Sequence, residues 1–501
     1  MRKVPTSSGA TAVQIASKSR GVRTIVEHLG SAHDDAQLAV LVTIARERIL
    51  ELTGQGTFDL AGLMPVPPVT TAPTVAGSRS RVLWEALEAA YTRVGFDTVG
   101  NDTFRKLVLA RIVEPTSKAD TIRVLNELGV PAPSLSTIWR TLARSIEQDW
   151  RARAAAAAYR HATTSGALTM VLYDVTTLYF EAENEDKLRK VGMSKERRVD
   201  PQILVGLLVD PSGFPLGVHA FEGNKAETCT LLPVLRSFQE RHQVTELVVV
   251  ADAGMLSAGN LDAVEDAGFR FIVGSRTSSA PYDLADHYQR HGNAFSDGQV
   301  IETTRSMGAG TTARQRRVVW QYSFKREKRD NLTLNKQIER AEKIADGSKP
   351  MRRDRFVTVD GSTVGVNWSQ IEKARTWLGL KGYVTNIPAI ALDGASVVAS
   401  YHSLFQVEAS FRMAKTDLRA RPMFASTEDS IQAHLTVVFC ALAISRHLHA
   451  STGHTIRRIV RALRPLRDVD ISIDGHQFTA TTPPEGEALD ILTALHATEG
   501  H

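Results

Sequence analysis

Cysteine is scarce in this chain of 501 residues, which contains only Cys229 and Cys440. Two cysteines exclude a framework of disulfide bonds and a cysteine-rich zinc site, and they favour a reducing cytoplasm. A long apolar run is also missing, because the longest, Leu435 to Ile444, is about half of the roughly 20 residues that a membrane-spanning helix needs. This run is typical of a buried helix in a soluble domain, so we expect no membrane partner.

Several common motifs are absent from the sequence. There is no G-x-x-x-x-G-K-[ST] loop and no H-E-x-x-H helix, which excludes a P-loop and the usual zinc-protease site. The basic N-terminus has no apolar segment behind it, so we expect no signal peptide. Charge is nearly balanced, with 60 Lys and Arg against 55 Asp and Glu. This slight basic excess is compatible with a polyanionic partner without requiring one.

Composition and periodicity divide the chain into seven segments. A stretch rich in Pro, Thr and Ser predicts a linker, a helical pattern follows it, and a strand-like pattern begins near residue 167. The predicted order is a small N-terminal region (1–64), the linker (65–80), a helical domain (81–165), the first part of an α/β core (166–270), an insertion with a basic segment (271–380), the second part of the core (381–455) and a C-terminal region (456–501).

The helical domain contains a candidate helix-turn-helix. A helical pattern ends at a turn that begins with Gly129, and Ser134 is a suitable N-cap for a second helix that carries Arg140 and Arg144. Two helices around such a turn can lay the second one in the major groove of DNA, where Arg140 would contact the duplex. An ordinary helical hairpin fits the same pattern equally well.

The order of predicted strands and helices in the core is β-β-β-α-β, the opening of an RNase H-like domain. The strands have apolar, β-branched runs, and the second and third are joined by a turn that ends at Gly213. The predicted strands are 168–180, 202–209, 214–221 and 246–251, with a helix over 228–242. Two further strand-like runs, 269–274 and 381–386, flank the insertion.

Two acidic residues occur at special points of this order. Asp174 lies within the first strand, and Asp252 directly follows the fourth. In this order of elements the two carboxylates can converge at one edge of the sheet and hold a divalent cation, which would explain an acid in a mostly apolar strand. A buried carboxylate otherwise costs several kcal/mol unless it is paired. The alternative is that Asp174 caps a strand end or pairs with an arginine.

Positive charge is concentrated in the insertion. Residues 312–355 contain 14 Lys and Arg against 6 Asp and Glu, a local excess above that of the whole chain. Within this segment, Arg316 and Arg317 are candidates for binding DNA phosphates, and the nearby Trp320 for stacking on a base. A solvated charged helix over 324–344, with ion pairs between residues four apart, is the alternative for part of this segment.

A third acid, Glu408, lies in a segment with helical periodicity from Tyr401 to Asp417. Tyr401 and Lys415 are each seven residues from Glu408, so a continuous helix would place all three on one face in a stripe about 20 Å long. The alternative is an exposed salt bridge between Glu408 and Arg412, four residues apart.

The three acids resemble the catalytic triad of bacterial insertion-sequence transposases of the DDE class. The pattern Tyr401-x2-Leu404-x3-Glu408-x6-Lys415 is similar to the subgroup motif Tyr-x2-Arg-x3-Glu-x6-Lys, whose core is interrupted by a β-rich insertion. The similarity extends over about 167–449 and includes "VADAGMLSAGNL" around Asp252. Leu404 departs from the motif, so the contact of the motif arginine must be lost or supplied by Arg412 or Arg419.

The resemblance implies an α/β fold with an RNase H-like catalytic core, preceded by a mainly helical DNA-binding region. It implies metal-dependent cleavage of transposon-end DNA and transfer of the 3′-OH to target DNA. Mg²⁺, or Mn²⁺ as a substitute, would be held by Asp174, Asp252 and Glu408, while Tyr401 and Lys415 would bind nearby phosphates. Expected partners are terminal inverted repeats, target DNA and a second copy in a homodimeric synaptic complex. The expected location is the bacterial cytoplasm, at the nucleoid. A DNA-binding regulator or structural factor on the same fold, with its catalysis lost, is the alternative.

Overall fold

The computed structural model has a mixed α/β fold. It describes most of the chain, and every structural statement below concerns those residues. They are 1–6, 10–19, 22–52, 73–180, 185–192, 200–244, 246–255, 257–275, 282–308, 313–350, 353–360, 363–421, 423, 425, 427–473 and 476–497.

Sixteen strands are seen in this described part of the chain. They are β1 (Arg2–Pro5), β2 (Thr11–Ser19), β3 (Val22–Ala32), β4 (Thr74–Arg79), β5 (Met170–Tyr179), β6 (Gln202–Val209), β7 (Pro215–Glu222), β8 (Val248–Ala251), β9 (Arg270–Gly274), β10 (Val300–Met307), β11 (Arg314–Tyr322), β12 (Val357–Asp360), β13 (Thr363–Val366), β14 (Leu380–Thr385), β15 (Asp468–Ile473) and β16 (His476–Thr481).

Sixteen α-helices accompany the strands in the same described ranges. They are α1 (Asp35–Leu52), α2 (Arg81–Arg93), α3 (Asp102–Val113), α4 (Thr121–Glu127), α5 (Leu135–Glu147), α6 (Trp150–Ala162), α7 (Leu231–His242), α8 (Ala258–Asp266), α9 (Ala285–His291), α10 (Phe324–Ala345), α11 (Trp368–Arg375), α12 (Gly394–His402), α13 (Phe405–Arg412), α14 (Glu428–Thr452), α15 (Ile456–Leu463) and α16 (Glu487–Ala497).

The chain folds into two compact units. The first contains Met1–Glu88, Ala119–Pro133 and Ser451–His501, and the second contains Ala89–Lys118 and Ser134–Ala450. In the first unit, β1–β3 form an antiparallel sheet against which α1 packs, and β16-β15-β4 form another.

The first unit departs from the prediction made from the sequence. The N-terminal region contains three strands besides helix α1, and part of the predicted linker is strand β4. The polar strand β4 is held by pairing with β15, nearly 400 residues later, which a local pattern cannot reveal. Residues 53–72 lie outside the described residues. The predicted helical domain contains α2 to α6, but its residues are divided between the two units.

The second unit is built on a mixed sheet of eight strands in the order β10-β11-β14-β9-β8-β5-β6-β7. Strands β5, β8 and β9 run parallel, whereas β6 lies between β5 and β7 and is antiparallel to both. The six strands predicted for the core are all present within a few residues. Their residues are largely buried, as the continuous apolar runs indicate.

The insertion continues the same sheet. Strand β14 pairs with β9 on one side and with β11 on the other, and β10 pairs with β11. Beyond these strands, α10 and α11 bury a small apolar cluster of their own that includes Leu334, Ile338, Phe356 and Ile371. The helix predicted over 324–344 is therefore present as α10, with ion pairs on its outer side and one buried face.

Helix α14 is long and apolar enough to cross a membrane by length and composition alone. However, 89% of its apolar window is buried inside the fold. The run from Leu435 to Ile444 is therefore part of a buried helix, as its length predicts.

Candidate active site and nucleic-acid cleft

Asp174 and Asp252 lie at equivalent positions on neighbouring parallel strands. Tyr173 of β5 pairs with Ala251 of β8, and each aspartate is the next residue along its strand direction. Adjacent strands are roughly 5 Å apart, so the two backbones are about that close at the aspartates. The sequence prediction that these two acids meet at one edge of the sheet is consistent with this register.

The two aspartates differ in exposure. Asp174 is half-buried and its Oδ1 accepts a hydrogen bond of 2.8 Å from the backbone N–H of Val175. Asp252 is exposed, and its Oδ1 accepts one of 2.7 Å from the backbone N–H of Ala253. Each hydrogen bond fixes one carboxylate oxygen against the backbone of the next residue.

Tyr401 of α12 orients Asp252. Its hydroxyl donates a hydrogen bond of 2.8 Å to Oδ1 of Asp252. Burial, followed by the negative charge of Asp252, raises the pKa of Tyr401, so the phenol stays protonated and able to donate. Tyr383 packs against the phenol with ring centroids 4.8 Å apart. Gly274 leaves space for the hydroxyl, since a Cβ there would lie 2.6 Å from it.

The continuous helix predicted from Tyr401 to Asp417 is wrong. Helix α12 ends at His402, α13 begins at Phe405, and a wider π-helical turn covers Met413–Asp417. Tyr401, Glu408 and Lys415 therefore occupy three separate segments and do not form one straight stripe. The apolar spacing hid the break, because residues on both sides of it are buried.

Glu408 lies on the exposed side of α13, which packs against β5 and β6. Arg412 is also exposed, and no salt bridge joins it to Glu408 in the described structure. Leu404, which departs from the Tyr-x2-Arg motif, is 7% exposed and packs inside. An arginine contact with DNA is therefore not available at that position, whereas Arg412 has the exposure it would need.

Lys415 reaches the first strand of the core. Its Nζ donates a hydrogen bond to the hydroxyl of Thr176, and it lies 5.9 Å from the ring centre of Phe411. Thr176 is two residues after Asp174 on β5, so both side chains are on the same face of the sheet. The structure thus brings a cation to the face that carries Asp174.

The donor set suits a hard cation, since all three candidate ligands are carboxylates. Asp174 and Asp252 are adjacent in the sheet. Nevertheless, within the described part of the chain, no group of three or more His, Cys, Asp or Glu side chains is arranged to hold a metal ion. The residues fit Mg²⁺ in kind, but Glu408 is not gathered with the two aspartates in this conformation.

The predicted DNA contacts of the basic segment do not fit their positions. Arg316 is 2% exposed and pairs with Asp262 and Glu265 of α8 at 2.5 and 3.1 Å. Arg317 pairs with Glu302 at 2.9 Å and donates to two backbone carbonyls. Both arginines hold β11 in place, and their acidic partners leave little charge for DNA phosphates.

Trp320 is likewise a packing residue. It is 1% exposed, and its Nε1 donates a hydrogen bond of 2.7 Å to Asp283. The guanidinium of Arg305 lies 5.4 Å from its ring centre. A base cannot stack on a ring that is covered in this way.

A cleft of about 480 Å³ beside Asp252 contains cations that sequence reasoning missed. Its lining includes Arg326, Arg355 and Lys381, together with Trp377. Burial lowers the pKa of Lys381, and Arg326 lowers it further. The basic composition of 312–355 signals Arg326 and Arg355, but only the fold shows that they, and not Arg316 or Arg317, line this cleft.

Arg140 lies on the exposed side of α5, as the sequence predicts. Ser134 caps α5 by accepting a hydrogen bond of 3.2 Å from the N–H of Thr137, and Gly129 has φ +73° at the turn. Trp139 is 50% exposed on the same side of the helix. Helices α4 and α5 belong to different units, and their role as a DNA-binding pair stays a prediction.

The chain resembles known proteins in sequence and in fold. Residues 168–444 match the family described as transposase DDE domain. No curated protein matches the sequence. One similar solved structure is the cryo-EM structure of the piggyBac transposase synaptic complex with hairpin DNA. It has 10% sequence identity, a TM-score of 0.35, and coverage of 75% of this chain and 70% of that chain.

Proposed function

Because the chain belongs to the transposase DDE domain family, we propose that it cuts the ends of a mobile DNA element and joins the freed 3′-OH to target DNA. The observation that carries this proposal is the register that places Asp174 and Asp252 side by side on parallel strands, at the rim of a cationic cleft. Carboxylates beside a phosphate-binding cleft are what phosphodiester chemistry requires.

An RNase H-like core is part of the proposal. The strand order β7-β6-β5-β8-β9, with β5, β8 and β9 parallel and β6 antiparallel, supports it. Such a core places its first acid on the central strand and its second on the next parallel strand. The Asp174 and Asp252 positions agree with that arrangement.

The proposed metal ligands are Asp174, Asp252 and Glu408, and the proposed ion is Mg²⁺ or Mn²⁺. When bound, the ions would lower the pKa of an attacking water and neutralise charge on the phosphate. Because Glu408 is not gathered with the two aspartates in this conformation, the proposal requires its carboxylate to approach them when DNA or metal binds. Tyr401 would keep Asp252 oriented, through the hydrogen bond that it donates.

The remaining roles concern DNA. Lys415 would bind a phosphate next to Asp174, and Arg412 would supply a contact that Leu404 lacks. Arg326 and Lys381 would hold the strand that enters the cleft, and Arg140 would contact the duplex from α5. The substrates would be double-stranded terminal inverted repeats and target DNA, bound by a homodimer in the bacterial cytoplasm.

The experiment that tests this function is cleavage of end-labelled DNA carrying the inverted repeats that flank the gene, by the full chain with Mg²⁺, Mn²⁺ or EDTA. We expect metal-dependent nicking at the repeat boundary. Asp174→Asn, Asp252→Asn and Glu408→Gln should each abolish it while DNA binding persists. Glu240→Gln, an exposed carboxylate on α7, is the matched control and should cut normally.

A DNA-binding regulator is the second candidate, and the separation of Glu408 from the two aspartates favours it. It predicts binding to the same repeats without cutting under any metal condition. Nicking that persists in Asp174→Asn and Asp252→Asn would instead refute the metal site.

A further inference from the structure

A pair of cations in the second unit has no acidic partner among the residues that the structure describes. Arg111 lies in the last turn of α3, and Lys118 follows five residues after that helix ends. Both are half-buried, and neither makes an ion pair with a described carboxylate. Burying a positive charge without compensation is costly, so an arrangement of this kind needs a reason.

Histidine cannot supply the missing negative charge. Lys118 Nζ lies 3.2 Å from Nδ1 of His434, on α14. Because an ammonium can only donate, Nδ1 accepts, and the imidazole proton is on Nε2. Burial, then Lys118 and Arg111, lower the pKa of His434, so the ring is neutral. The backbone of Ala420 lies near the ring, but Nε2 makes no hydrogen bond of good geometry with the described residues.

The pKa values of both cations are lowered, as expected for buried positive charges without a nearby negative charge. Burial lowers the pKa of Arg111 to about 10. Burial, followed by the charge of Arg111, lowers the pKa of Lys118 to about 8. No acidic group among the described residues raises either value. Near neutral pH both groups therefore stay charged, close enough to repel each other, with donors still available.

We propose that Arg111 and Lys118 form a phosphate-binding site, in which His434 positions the lysine, and that it grips a backbone phosphate of bound DNA. A phosphate oxygen would accept hydrogen bonds from both cations, and its negative charge would compensate their positive charges. The site shares no residue with the cleft beside Asp252. One small cavity is lined by Ala420 and Leu435 and also by Thr176 and Lys415. Because Leu435 is next to His434 in the chain and Thr176 is on the face of Asp174, this cavity lies between the proposed site and that face.

The identification of the phosphate with DNA rests on the proposed function, whereas the anion site does not. The first test measures duplex binding by the full chain, using fluorescence anisotropy at a series of salt concentrations. Lys118→Met should reduce the slope of log K against log salt by about 0.9, the contribution of one phosphate contact. Lys118→Arg should retain the slope, and so should Arg236→Met, which removes an exposed arginine on α7.

The second test is thermal unfolding with inorganic phosphate or potassium chloride at matched ionic strength. Phosphate should raise the Tm of the wild type but not that of Lys118→Met; Arg111→Met is the second variant if the first does not fold. Protection by phosphate with an unchanged salt slope would overturn the DNA assignment. An unchanged slope together with no protection would overturn the site itself. If the wild type binds no duplex, the proposed function fails, and phosphate protection alone decides the anion site.

Discussion

A single added methyl group at Gly274 should disable the candidate site without touching any carboxylate. Gly274 is buried at the end of β9, and its backbone is outside the left-handed region, so alanine is compatible with the chain. The new Cβ would lie 2.6 Å from the Tyr401 hydroxyl and 3.1 Å from Lys381 Nζ. Because these separations are too short, the phenol must move, and its bond to Asp252 must break.

The expected loss can be worked from that bond. A hydrogen bond to a charged group contributes about 1.5–3 kcal/mol. If Tyr401 orients Asp252 for cleavage, Gly274→Ala and Tyr401→Phe should each slow metal-dependent nicking by about 10- to 100-fold. Since both changes remove the same interaction, the double variant should be little slower than the slower single variant.

The assay is the nicking rate of the two single variants and the double variant, with Tm measured alongside. Gly259→Ala is the matched control, because a Cβ at that position meets nothing within 4 Å. Losses that multiply in the double variant, or a normal rate in Gly274→Ala, would refute the reasoning that Tyr401 acts through Asp252.

Three further predictions concern stability. Folding lowers the pKa of Lys118 from 10.5 to about 8. Between these values the unfolded chain binds the extra proton, so the free energy of unfolding of the wild type should rise with pH, by up to about 3 kcal/mol. In urea unfolding, the free energy of Lys118→Met should rise less over this pH range, and an equal rise would contradict the prediction. Arg316→Ala should lower the free energy of unfolding by about 1–3 kcal/mol, because it empties a buried position and removes the ion pairs to Asp262 and Glu265. It should leave the salt slope of DNA binding unchanged. Burial, then the charges of Arg151 and Arg241, lower the pKa of His219 from 6.5 to about 4, so the free energy of unfolding should fall as pH drops from 6.5 to 4. His219→Gln should lose less stability over this range, and acid unfolding curves identical to those of the wild type would contradict the prediction.

The core strands were predictable because their information is local. Each is a run of apolar residues bounded by a turn, and the turn ending at Gly213 has the expected φ of +87°. The neighbourhood of Asp174 and Asp252 follows from strand order alone. The same holds for the cap at Ser134, which depends on residues within one helical turn.

The errors occurred where distant residues decide the outcome. Arg316 lies in a basic segment that is typical of phosphate contacts. However, its guanidinium pairs with Asp262 and Glu265, about 50 residues earlier in the chain. Composition cannot show which face of β11 an arginine is on. The break after His402 has no glycine or proline to mark it, and its buried neighbours keep helical spacing. Arg111 and Lys118 could not be singled out from the sequence, because only the fold shows that no described carboxylate pairs with them.

Strand β14 ties the insertion to the core by backbone hydrogen bonding. Its residues are mostly buried, and it has β11 on one side and β9 on the other. Removing the insertion would leave the β11 side of β14 as a bare edge, with unpaired N–H and C=O groups on an apolar strand. Edges of that kind pair with other chains and promote aggregation. The insertion is therefore not a detachable module, and a shortened version of this enzyme would need a new strand or a charged edge in its place.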